Sequence, residues 1–260
     1  MATNFVRRTT KILVLNPNSS SHMTHGLEQG LRHMELSQST EVHTYTAPGE
    51  SPKSINDGED VQISRHVVIK DLEATGLLRQ YDAVLVACFS VHPLVGALAE
   101  QEGEFDKLSV MGIFEASILT CLSLLRPNKK WGIVTTGKFW ESHLTQGVSQ
   151  FLGTGSQDLG KFAGVESTGL NAGDFHGGVD PEVVRKKLRE ATDRLLSKGD
   201  VECVVMGCAG MAGLEEIIRS VALEKYDPKY ARELLVIDGV RAGVGLLEQV
   251  VRNKRAFQKS

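Results

Sequence analysis

The chain has 260 residues, 41% of them hydrophobic and 23% charged, so it can bury a substantial core and falls in the ordinary globular class. A formal net charge of only −3, without any long run of like charge, argues against a nucleic-acid footprint or an acidic tail and makes a small, roughly neutral ligand the expected partner. No apolar run could span a bilayer, and residues 1–11 carry Arg7, Arg8 and Lys11 without the apolar stretch of a secretory signal, so a cytoplasmic protein with no membrane partner is expected.

Short Val-, Ile- and Leu-rich runs alternate with longer amphipathic stretches along the whole chain. The first predicted strand, 12–15, ends at Asn16 and leads through a turn into a helix over 23–34. A strand at 41–46 follows. The segment 47–58, with two prolines and two glycines, reads as a loop, either a lid or a surface connection. After a helix at 62–80 comes a strand at 83–87 that stops at Cys88, then a helix at 94–101, a strand at 110–114 and a helix at 116–125. The second half repeats the order, with strand 132–135, helix 140–151, strand 161–166, helix 181–197, strand 202–206, helix 212–223, strand 234–237 and helix 240–252. A loop at 169–178 offers Asn171, Asp174 and His176 as rim residues. Eight strands alternating with eight helices predict an α/β protein with parallel sheets flanked by helices.

The pattern is duplicated. The strand ending at Asn16 matches the one ending at Thr136, 120 residues later, and Cys88 matches Cys208 at the same offset of 120. A third pair, Glu115 and Asp238, lies 123 residues apart. Two pseudo-symmetric lobes follow, residues 1–115 with 239–260 forming one and 116–238 the other, with an active site in the cleft between them, where the carboxyl ends of the strands face each other.

Four cysteines, Cys88, Cys121, Cys203 and Cys208, are expected to be reduced in the cytosol. No CxxC occurs, and His22 with His25 reads as an exposed helical turn, so no metal site is expected. Cys203 lies inside a strand and Cys121 inside an apolar helix, which makes both core residues. Cys88 and Cys208 lie just past strand ends, near the start of a helix, where backbone N–H groups and the helix dipole favour a thiolate. Two thiols on opposite faces of a substrate can invert a carbon acid, one removing a proton beside a carbonyl and the other returning one, with no metal or organic cofactor. The developing enolate needs donors, which the turns at 18–20, 89–90, 135–137 and 209–210 provide.

The run Ile12-Leu13-Val14-Leu15-Asn16-Pro17-Asn18-Ser19-Ser20, the segment Cys88-Phe89-Ser90, Phe114-Glu115-Ala116, Val134-Thr135-Thr136 and Gly207-Cys208-Ala209-Gly210-Met211 resemble the Asp/Glu/hydantoin racemase superfamily, and within it the hydantoin racemase branch with its fungal members. The resemblance runs from about Lys11 to about Arg252. It implies the two-lobed fold, cofactor-independent racemisation, and Cys88 and Cys208 as the two bases. It further implies that Asn16, Phe89, Ser90, Thr135 and Thr136 hold the substrate, that Gly137, Ala209 and Gly210 add backbone donors, and that the assembly is a homo-oligomer. The implied substrates are 5-substituted hydantoins, the ureide allantoin or amino-acid derivatives. Where bacterial members commonly follow the first cysteine with Phe-Gly-Asp-Pro, this chain has Phe89-Ser90-Val91-His92-Pro93, which points to Val91 and His92 as places where specificity is altered. Two other readings stay open. One is an arylmalonate-decarboxylase-like lyase, which needs one cysteine only, and the other is a non-catalytic binding protein that keeps the cleft.

Overall fold

The computed structural model describes residues 8–32, 34–100, 108–153 and 160–258. Strands β1 (Thr10–Asn16), β2 (Thr40–Thr46), β3 (Ala83–Val86) and β4 (Ser109–Gly112) form one parallel sheet in the order β2-β1-β3-β4. Strands β5 (Lys130–Thr135), β6 (Phe162–Ser167), β7 (Val201–Gly207) and β8 (Leu235–Asp238) form a second in the matching order β6-β5-β7-β8. The central strands β3 and β7 are buried along their whole length, which is why their sequences read as unbroken apolar runs.

Helices α1 (Ser21–Leu31), α2 (Gly58–Thr75) and α3 (Pro93–Ala99) connect the first sheet, and α4 (Ile113–Leu124) leads out of it. In the second sheet α5 (Phe139–Leu152), α6 (Pro181–Leu196), α7 (Glu215–Lys225) and the short α8 (Pro228–Glu233) make the connections. The last helix, α9 (Gly239–Phe257), returns to pack on β1, β3 and β4 and crosses α4. One apolar core joins the two sheets, since Val14 and Leu85 of the first, Ile133 and Val205 of the second and Val244 and Leu247 of α9 belong to the same buried cluster. Among the described residues no helix is long and apolar enough to cross a membrane.

All eight predicted strands are present, with several boundaries moved. The run 110–114 is strand only to Gly112. Ile113 and Phe114 open α4, and Glu115 sits in its first turn, where a carboxylate complements the helix N-terminus. The third repeat pair therefore shifts: the ladders set Gly112 beside Val86 and Asp238 beside Met206, so Gly112 and Asp238, 126 residues apart, are the equivalent strand ends. Asn16 and Thr135 each end their strands, which pairs Asn16 with Thr135 rather than with Thr136. The helix at 62–80 begins earlier, at Gly58, and stops at Thr75, where left-handed Gly76 turns the chain into a 3-10 segment, Leu77–Gln80. Residue 101, the predicted end of α3, lies outside the described residues. Helix α8 is an additional element, announced by Asp227 as N-cap and Pro228 at its first position.

Candidate active site

Both cysteines that follow the central strands open onto one small cavity of about 30 Å³. The first sheet and its loops contribute Asn18, Met23, Ile55, Ala87, Cys88 and Phe89. The second contributes Thr136, Trp140, Ala172, Gly207, Cys208 and Ala209. A larger open groove of about 670 Å³, lined by Arg8, Thr10, Glu248 and Arg255 among others, lies at the opposite end of β1 and contains neither thiol.

Cys88 is carried by the end of β3, where the Ala87 amide still donates to the Leu15 carbonyl at 2.8 Å. Its Sγ lies 3.5 Å from the Ser90 hydroxyl, and Ser90 itself is fully buried. Phe89 packs edge-on against Phe114 at 5.6 Å, which anchors this turn to α4. Cys208 follows Gly207, a position that takes no side chain, because a Cβ there would meet Ile133 at 2.7 Å and Thr135 at 2.9 Å. The Thr135 hydroxyl donates to the Gly207 carbonyl at 2.8 Å and so clamps β5 to β7 beneath the thiol. The Gly210 amide donates to Cys208 Sγ at 3.3 Å.

The helix-dipole expectation for the thiols needs correction. Helix α3 starts only at Pro93, five residues past Cys88, so that sulfur does not sit in the first turn of the helix that follows it. Burial pushes Cys88 up to about 12, the Ser90 hydroxyl opposing and charge on Cys208 reinforcing the shift. Cys208 does receive the Gly210 and Met211 amides, yet burial still carries it to about 11. In the closed site both groups rest as thiols at neutral pH.

Of the sequence-derived residues, Cys88, Phe89, Thr136, Cys208 and Ala209 line the cavity. Asn16, Ser90, Thr135, Gly137 and Gly210 are not among the lining residues. The Asn16 amide is consumed by its own turn: Nδ2 lies 3.0 Å from Asn18 Oδ1, 3.0 Å from Thr24 Oγ1 and 3.2 Å from the Ser20 carbonyl, while Oδ1 accepts from the Asn18 amide. Asn18 takes the exposed role. Its Oδ1 accepts from Asn16 and from the Ser20 amide, which turns its NH₂ towards Met23 Sδ, at 3.4 Å, and the cavity wall.

Val91 and His92 point elsewhere. Val91 is 39% exposed and fills the space over Gly147 of α5. His92 is buried, with Nδ1 accepting from the Leu94 amide at the start of α3. Nε2 must then carry the proton, which it donates to Ser64 Oγ at 3.1 Å, and Ser64 donates on to the Val61 carbonyl. The chain of bonds ties the Cys88 turn to α2. Asp238 caps α9 through bonds from the Val240 and Arg241 amides, and Glu115 stays in the first turn of α4. Among the described residues no group of three or more His, Cys, Asp or Glu side chains could hold a metal ion.

The lining residues missed from the sequence are Asn18 as a side chain, Met23, Ile55, Ala87, Trp140 and Ala172. Ile55 comes from the 47–58 loop and Ala172 from the 169–178 loop, the two segments whose composition already set them apart. Met23 and Trp140 read as ordinary helix residues, and only tertiary packing distinguishes them.

The Asp/Glu/hydantoin racemase family model matches residues 12–247, which includes every strand of both sheets beyond the first two residues of β1. The chain belongs to the Asp/Glu/hydantoin racemase family. Among family relatives, Protein DCG1 of Saccharomyces cerevisiae is 30% identical over 94% of this chain and 97% of its own length. A hydantoin racemase from Pseudomonas sp. is 29% identical over 93% of this chain and 86% of its own. The solved allantoin racemase from Klebsiella pneumoniae superposes with a TM-score of 0.74 at 25% identity, covering 94% of this chain and 89% of that one. As a member of this family the chain is an isomerase of the racemase type.

Proposed function

We propose that this racemase inverts the ring stereocentre of a 5-substituted hydantoin or an allantoin-like ureide, with Cys88 and Cys208 as the two acid–base groups. The observation that carries the reading is the convergence, in one small cavity, of two thiols placed just past equivalent central strands. One sulfur, after giving up its own proton to solvent, takes as thiolate the proton from the carbon between ring carbonyl and ring nitrogen. The electron pair moves onto the carbonyl oxygen, and the opposite thiol delivers its proton to the other face, so a thiol and a thiolate exchange places and no net charge is gained.

The Asn18 NH₂ and the main-chain amides of the turns after Cys88 and Cys208 suit the oxygen that becomes anionic. Among the described residues, no Asp, Glu, Lys, Arg or His lines the cavity. A free amino acid would bring an ammonium and a carboxylate into that lining without a side chain of opposite charge, whereas a hydantoin ring is neutral. The relatives named for hydantoin and allantoin racemisation support the same substrate class.

The test is incubation of each enantiomer of 5-methylhydantoin and of allantoin in heavy water, following optical rotation and deuterium at the stereocentre. Loss of rotation with deuterium uptake is expected for at least one of them, and exchange of neither removes the substrate class. Cys88→Ala and Cys208→Ala should each lower racemisation by about 10²–10⁴-fold, and full activity in either variant contradicts the two-thiol mechanism.

A further inference from the structure

Apolar side chains in the cavity wall that have no part in proton transfer include Met23, Ile55, Trp140 and Ala172. Ile55 and Ala172 are the two delivered by loops, and Ile55 carries the larger side chain. The segment around Ile55 bears on both sides of the second sheet's contribution to the cavity. Asn56 Oδ1 accepts from the Ala172 amide at 3.4 Å and from the Ser54 hydroxyl at 3.0 Å. A Cβ built on Gly173 would lie 3.9 Å from Ser54, and one on Gly58 would lie 3.8 Å from Phe139, the first residue of α5 and neighbour of Trp140. Ile55, only 5% exposed, thus closes the cavity between Ala172 and the start of α5.

An imide ring sends its carbonyl oxygens and N–H groups to hydrogen-bonding partners, which here are Asn18, Thr136 and the main chain of the two cysteine turns. The substituent on the reacting carbon is left to the apolar wall. The cavity is small, about 30 Å³, so the bulk of the side chains in its wall decides what it admits. We infer that Ile55, backed by Trp140, is the specificity-determining residue that limits the size of the substituent on the reacting carbon. This inference rests on the racemase reading given above and adds the side chain that sets its substrate range.

The experiment measures kcat/KM for hydrogen exchange at the ring stereocentre of 5-methyl-, 5-isobutyl- and 5-benzylhydantoin, with allantoin alongside, in the intact wild-type protein and in Ile55→Val, Ile55→Ala and Trp140→Phe. Wild type should lose efficiency along the series from methyl to benzyl. Ile55→Ala should raise the benzyl-to-methyl ratio by about tenfold or more, with Ile55→Val between the two. Trp140→Phe should move the ratio the same way, and serves if Ile55→Ala does not fold. A residue that only supports the fold would lower all substrates together and leave the ratio unchanged. An unchanged ratio in Ile55→Ala and Trp140→Phe, or a wild type that already prefers the benzyl compound, overturns the inference and leaves the racemase reading standing. A wild type that exchanges none of the four compounds overturns the reading itself.

Discussion

His92 sits two residues past Ser90, yet its work is done on the far side of the turn, where it is locked as the neutral Nε2–H tautomer between Leu94 and Ser64. Burial lowers its pKa from 6.5 to about 4. Between those values the unfolded chain binds a proton that the folded chain refuses, so the stabilisation is complete above about pH 6.5 and is lost as the pH falls towards 4. At pH 4.5 the loss amounts to roughly 2–3 kcal/mol. Urea unfolding at pH 7 and pH 4.5 checks this: His92→Asn, which keeps a helix-capping side chain, should show a pH-dependent loss smaller than wild type by that amount. At this scale the sequence was legible where chemistry depends on local position. Cys88 and Cys208 announce themselves because each stops an apolar strand. Asn16 and Asn18 were less so, since both stand in one polar turn, and only the closed set of hydrogen bonds around Asn16 shows that Asn18 is the one left facing the cavity.

Among the elements, the turn between β1 and α1 is the most heavily bonded part of the site. Asn16 holds Asn18, Ser20 and Thr24 together, Thr24 reaches Thr46 at the end of β2 at 2.6 Å, and Ser51 donates to the Pro17 carbonyl. Asn16→Ala removes the acceptor of the Asn18 amide together with three further bonds of the turn and should cost about 1–3 kcal/mol in urea unfolding, with kcat/KM falling because Asn18 loses its orientation. Thr135→Val, which removes the hydroxyl that donates to the Gly207 carbonyl, should have a smaller effect, about 1 kcal/mol, because it breaks one bond in a well-packed strand pair. The central strands were readable because parallel strands buried on both faces need unbroken apolar runs. Helix α8 and the early start of α4 were not, because six residues is too short for a helical period and Ile113-Phe114 continues the apolar run of β4 without a breaker. Loop placement was equally hidden. The meeting of the Ile55 and Ala172 loops joins residues more than a hundred positions apart, and nothing local encodes it.

For the molecule as a whole, the duplicated strand order was readable from spacing, but the way the halves are locked together was not. That lock is the crossing of α4 and α9. Gly239 lies so close to α4 that a Cβ would meet Ser117 Oγ at 2.8 Å and the Ile113 carbonyl at 3.0 Å. Gly239→Val should therefore destabilise the protein by about 1–3 kcal/mol. Because one core spans both sheets, the loss should register as a single transition. Fluorescence of Trp131 and Trp140, the two tryptophans of the chain, reports on the second sheet, and its midpoint should coincide with that of far-ultraviolet circular dichroism, which reports on both. The near-twofold arrangement of the thiols has a consequence for kinetics under the proposed reaction. Mirror-image forms of a substrate have equal free energy in water, so the Haldane relation forces kcat/KM to be identical in the two directions, however differently Cys88 and Cys208 hold their protons. Any inequality between the two thiols can then surface only as paired changes in kcat and KM, the hand with the larger kcat also having the larger KM by the same factor.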